Sequence, residues 1–177
     1  MTVKIKATFS KARIKTFHRF HFKKISSLPI IDFTIAMICI IIAFVGLLIF
    51  ENSFIFGVFI VLCFVIFGTQ NYRIDRTVRK MIKNNPPSIE PYTIFIDENK
   101  VIFTQDTICK EFKWDNIPRV CEIDECFYIY VSEQSALIFP KYLIKQEQKE
   151  ELRKFFQEKG IYKKYKFISI AEKEGVV

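Results

Sequence analysis

Histidine and glycine are scarce in this chain, and each scarcity removes a class of chemistry. The two histidines, His18 and His21, both precede the first long apolar block, so no serine or cysteine of the C-terminal half shares a domain with an imidazole that would activate it. The five glycines are scattered, which leaves no Gly-rich loop to cradle phosphates. None of Cys39, Cys63, Cys109, Cys121 and Cys126 stands at metal-ligand spacing from another cysteine or from a histidine. His18 and His21 offer two ligands without a third, so neither a metal nor a cofactor is expected.

Charge is absent from two further stretches. From Phe33 to Phe50, and again from Asn52 to Tyr72, no residue is ionisable as an acid or base of the Asp, Glu, Lys or Arg type. Each block approaches the roughly 20 helical residues that cross a bilayer's hydrocarbon core. A helix at a domain surface shows one apolar stripe about 100° wide, whereas Ile40, Ile41, Ile42, Phe44, Val45, Leu47 and Leu48 leave no polar face. The spacing predicts a transmembrane hairpin over 28–72, with spans at about 28–50 and 53–72 joined near Glu51. A cleaved signal peptide is not expected, because the first block starts late, is too long and is followed by a second.

Acidic residues are missing from 1–31, which carry Lys4, Lys6, Lys11, Arg13, Lys15, Arg19, Lys23 and Lys24. The second block is followed by Arg73, Arg76, Arg79, Lys80 and Lys83 against Asp75 alone. Flanks rich in Lys and Arg stay in the cytoplasm, so both termini are expected there. Asp32 falls near the cytoplasmic end of its span, where it is expected to reach the interface.

The formal charge of +8 is uneven: residues 1–84 hold 13 basic and 3 acidic residues, and residues 85–177 hold 14 and 16. The basic excess therefore belongs to the membrane margins, where each Lys or Arg near anionic lipid adds about 1 kcal/mol. The slightly acidic remainder carries no nucleic-acid motif, so a nucleic-acid partner is not expected.

Taken in order, 1–27 reads as a basic strand (Val3 to Phe9 alternates) and an amphipathic helix starting after Ser10. Residues 73–87 read as a basic juxtamembrane helix stopped by Asn84-Asn85-Pro86-Pro87. Residues 88–160 read as a β-rich domain. Tyr92–Ile96 and Val101–Thr104 flank the turn Asp97-Glu98-Asn99, and runs follow at Thr107–Trp114, Val120–Ile123, Phe127–Val131 and Ala136–Phe139. This series points to a meander or an open barrel. Gln146 to Lys159 reads as a closing amphipathic helix with Gly160 as its stop. Residues 161–177 are either a further strand or a basic tail.

The steps Trp114-Asp115-Asn116-Ile117, Phe127-Tyr128-Ile129-Tyr130-Val131 and Ala136-Leu137-Ile138-Phe139-Pro140-Lys141, followed by the helix, resemble the C-terminal domain of the YcxB-like family of small bacterial membrane proteins. The resemblance implies an α+β membrane protein in which a cytosolic pleckstrin-homology-like sheet or barrel is closed by a helix. It marks Trp114, Asp115, Ile117, Tyr128, Tyr130, Pro140 and Lys141 as structural positions, and it implies no activity. Phosphoinositide binding is disfavoured, since the hairpin that would present a cationic cradle reads Asp97-Glu98-Asn99-Lys100 and carboxylates repel phosphate.

The expected function is a non-enzymatic inner-membrane protein that presents this domain to a protein partner the sequence does not identify, with homo-oligomers compatible. An immunity-type protein protecting its cell from a toxin is the second reading. A module binding anionic lipid is the third.

Overall fold

The computed structural model describes residues 2–50, 53–86 and 90–167. It forms two compact units, residues 1–17 with 86–177 and residues 18–85. The expectations for the loop at Glu51-Asn52, for Pro87 and for the end of the tail lie outside the described residues.

The first unit is built of β-strands because apolar side chains alternate with polar ones in short runs punctuated by turn residues. Strands β1 (Val3–Thr8), β2 (Pro91–Ile96), β3 (Lys100–Gln105) and β4 (Ile108–Lys113) make one antiparallel sheet in that order. Strands β5 (Arg119–Glu122), β6 (Cys126–Tyr130) and β7 (Ala136–Pro140) make a second, in which β8 (Tyr162–Lys164) runs parallel to β5. The two sheets are not hydrogen-bonded into a closed barrel among the described residues.

Turn chemistry sets the registers. Asp97 Oδ1 accepts the backbone N–H of Asn99 at 2.7 Å and of Lys100 at 2.9 Å, which closes the β2–β3 hairpin and holds the Asp97 carboxyl below the usual carboxylate range. Between β3 and β4, Asp106 takes the left-handed conformation at φ 50°, a region Asp enters more readily than most residues.

β1, the basic N-terminal strand, sits in the first sheet. Its Val3, Ile5 and Ala7 enter the core beside Tyr92, Ile94 and Ile96, its partners across the ladder from Val3↔Ile96 to Thr8↔Pro91. The chain between those strands, including both long apolar helices, is thus an insertion between adjacent strands of one sheet. Helix α4 (Gln146–Glu158) plugs the core with Leu152 and Phe156, both fully buried, each contributing about 1.5–3 kcal/mol by transfer from water. It starts where Gln148 Oε1 accepts the backbone N–H of Lys145 at 3.1 Å and ends at Gly160, whose φ of 70° suits a residue without Cβ.

The second unit holds the two apolar helices. Helix α1 (Lys11–Phe20) leads through a π-helical turn, His21–Ile25, into α2 (Leu28–Phe50), and α3 (Ser53–Asn84) returns. Pro29 stands in the first turn of α2, where its missing N–H costs nothing. α3 runs unbroken from the second apolar block through the basic juxtamembrane stretch, which continues its helical register to Asn84. Small side chains let α2 and α3 approach: Ala36, Cys39 and Cys63 form the buried contact, and Phe44 meets Phe56 edge-on at 5.9 Å.

Asp32 stands in the first turns of α2. It is 6% exposed, with Oδ1 2.9 Å from Arg73 Nη2 and Oδ2 accepting Gln70 Nε2 at 3.1 Å. The antiparallel return of α3 puts residues 70–73 beside the start of α2, a neighbourhood that sequence distance conceals.

Candidate functional site

Glu122 ends β5, directly after Val120 and Cys121, and its residue is 0% exposed. A lone carboxylate there would cost several kcal/mol in lost hydration. Four donors meet it instead. Arg153 of α4 gives Nε to Oε2 at 2.9 Å and Nη2 to Oε1 at 2.7 Å, Lys141 gives Nζ to Oε1 at 2.8 Å, and the Tyr162 hydroxyl of β8 donates to Oε2. Burial alone would raise this carboxyl, but the hydrogen bonds from Arg153, Lys141 and Tyr162 outweigh it and hold it at about 2. Tyr162 is pushed up to about 12, first by burial and then by the carboxylate it serves.

Backbone contacts place these groups. Lys141 opens a 3-10 turn after β7, and its N–H donates to the Glu125 carbonyl at 2.9 Å. β8 is strapped along β5 by Val120 N–H to the Ile161 carbonyl at 2.7 Å and Tyr165 N–H to the Glu122 carbonyl at 2.8 Å.

Lys141 and Arg153 also line a cleft of about 850 Å³ with Ser10, Ala12, Arg13, Asp124, Glu125, Cys126, Tyr142, Gln146 and Lys149. At its edge, Arg13 donates from Nη2 to the Tyr142 hydroxyl at 2.9 Å and from Nη1 to the Thr8 carbonyl at 3.3 Å, and its guanidinium lies 5.0 Å from the Tyr142 ring centroid. Cys126 is the one thiol on the lining, and burial pushes it up to about 12, so it stays protonated and a poor nucleophile. The cleft therefore offers ordered cations and an aromatic ring, groups suited to recognition. Among the described residues, no group of three or more His, Cys, Asp or Glu is placed to hold a metal ion.

Strands β3 to β7, most of α4 and the carboxylate at their centre are the part of the chain that a known family shares. Residues 96–156 match the model of the YcxB-like protein family. No curated protein and no solved structure matches the chain. The YcxB-like segment contains Glu122, Lys141 and Arg153, and stops before Tyr162.

Of the positions marked from sequence in the YcxB-like segment, most serve its core. Trp114 donates Nε1–H to the Asp97 carbonyl at 2.8 Å and packs edge-on to Phe155 at 5.1 Å, and Ile117 lies buried beside it. Tyr128 and Tyr130 point to the opposite face of β6 from Phe127 and Ile129, where Phe17 meets their rings at 5.1 and 6.0 Å. Pro140 ends β7 opposite Cys126, Asp115 is exposed in a 3-10 turn, and Lys141 alone reaches the carboxylate.

The basic residues are dispersed. Lys11, Arg13 and Lys15 lie on α1, and only Arg13 enters the cleft lining. Arg19 pairs with Asp75 at 2.7 Å, Arg73 with Asp32, and Arg79 Nε donates to the Asp75 carbonyl at 3.3 Å. Lys23 and Lys24 lie on the π-helical turn, and Arg76, Lys80 and Lys83 are exposed along α3.

Glu122, Tyr142, Lys149, Arg153 and Tyr162 carry the site and were not singled out from sequence. The available signal was a glutamate inside the apolar run Val120-Cys121-Glu122-Ile123, a burial that demands counter-charges.

Proposed function

We propose that the chain is a non-enzymatic bacterial inner-membrane protein. In this reading α2 and α3 cross the bilayer as a hairpin with both termini cytoplasmic, and the sheets with α4 act as a pleckstrin-homology-like domain that binds a protein partner at the membrane. The carrying observation is the bareness of the apolar helices: within the candidate spans Leu28–Ile49 and Phe56–Asn84, only 28% and 11% of an apolar 18-residue stretch is buried. Core helices of a soluble protein would be mostly covered, and lipid is the medium in which such surfaces are stable.

Two packed four-stranded sheets plugged by a helix support the pleckstrin-homology-like reading, with the hairpin inserted between its first two strands. The exposed Arg76, Arg79, Lys80 and Lys83 suit an anionic inner leaflet. Confinement beside the membrane raises the effective concentration of the domain toward membrane neighbours without any new contact.

High-speed centrifugation of a detergent-free lysate, followed by crosslinking and pull-down from the native membranes, tests both halves. Sedimentation with the membrane fraction and recovery of a defined partner are expected. A monodisperse chain in the supernatant would overturn the membrane reading, and the absence of any specific crosslink would overturn partner binding.

A further inference from the structure

We propose that the cleft over Glu122 receives an acidic segment of the partner protein, a carboxylate of that segment seating among Lys141, Lys149, Arg153 and Arg13. This rests on the partner-binding reading and names its surface and chemistry.

The donor inventory carries the inference. One carboxylate serves both Lys141 and Arg153, so their joint charge toward the cleft is an excess of one positive. Lysine has three N–H donors and Arg five, and Glu122 takes only one from Lys141 and one each from Nε and Nη2 of Arg153. The rest are held in place before any ligand arrives, which lowers the ordering cost of binding. Lys149 and Arg13 add two further cations on the same lining and Asp124 and Glu125 two carboxylates, so the cleft together with Glu122 keeps an excess of one positive charge.

Size and rim favour a peptide over a bilayer surface. About 850 Å³ exceeds the room a single small anion needs and suits several side chains. Tyr142, 63% exposed and paired with Arg13, has the composition of a binding hot spot. Asp124 and Glu125 on the lining oppose a broad anionic sheet of headgroups, whereas a flexible acidic segment seats one carboxylate among the cations and turns its others to solvent.

The test uses the full-length protein in phosphatidylcholine nanodiscs and fluorescein-labelled hexaglutamate, read by anisotropy. Hexaglutamate is expected to bind, to weaken about tenfold in Lys149→Glu and to recover in Lys149→Arg, while Lys110→Glu on β4 leaves it unchanged. No binding, or equal losses in Lys149→Glu and Lys110→Glu, overturns the proposal. So does Lys149-dependent association with phosphatidylserine vesicles without hexaglutamate binding, which assigns the cleft to lipid.

A photo-crosslinker placed at Gln146 or at Lys110 in native membranes separates this proposal from the broader reading. Adducts at Gln146 that vanish in Lys149→Glu support the cleft. Adducts at Lys110 alone overturn the cleft and leave partner binding standing, and adducts at neither overturn both.

Discussion

Replacing Glu122 with Gln keeps the side chain's shape and removes its charge, leaving Lys141 and Arg153 without a counter-ion in a site where the residue at their centre is 0% exposed. A carboxyl held at about 2 instead of 4.5 stabilises the fold by about 3 kcal/mol once ionised, at roughly 1.4 kcal/mol for each tenfold. Because the folded value is the lower one, this stability is fully present above about pH 4.5 and is lost as pH falls toward 2.

Trp114, the chain's single tryptophan and 3% exposed, reports unfolding of the sheet-bearing unit in urea with the full-length protein in detergent. At pH 7 the midpoint of Glu122→Gln should fall by about 2 M, taking a slope of about 1.5 kcal/mol/M. The gap between parent and variant should shrink to about 1 kcal/mol by pH 3, where the parent has lost most of its advantage. A gap below about 1 kcal/mol at pH 7, or one unchanged between pH 7 and pH 3, would refute the account of a carboxylate stabilised by its three neighbours.

Tyr162→Phe removes one donor to the same carboxylate and should cost about 1.5 kcal/mol in that assay, with acid loss starting at higher pH. Val45→Asp and Val61→Asp should each impair insertion by about 2.5–3.5 kcal/mol, read as loss from the carbonate-resistant membrane fraction; full retention would contradict spans in lipid. Reversing the charges of Arg73, Arg76 and Arg79 together should alter orientation, seen as changed protease accessibility of the sheet-bearing unit in inverted vesicles.

What the sequence made legible and what it hid differ by the range of the signal. The helices announced themselves through composition alone, since Phe33–Phe50 needs no partner to be recognised as apolar. β2 to β7 followed from local turn chemistry, as at Asp97-Glu98-Asn99, whose carboxylate folds back on its own backbone. β1 was recognised as a strand, but its place beside β2 was not, because the ladder partners Thr8 and Pro91 stand on either side of the whole hairpin.

The site was hidden for the same reason. Glu122, Lys141, Arg153 and Tyr162 come from a strand, a turn, a helix and a second strand, with no shared period. The Asp32–Arg73 pair likewise requires α3 to turn back along α2 before the two residues become neighbours. Lys141 was marked by family resemblance and not by any visible need for a counter-ion.

The pairing of Val3–Thr8 with Pro91–Ile96 has a consequence for biogenesis. The first strand emerges from the ribosome long before its ladder partner is synthesised, with both apolar helices made in the interval. The amino terminus therefore waits, edge unpaired, until translation delivers β2. A bulky fusion placed ahead of Val3 burdens that delayed pairing, which a fusion behind β8 does not touch.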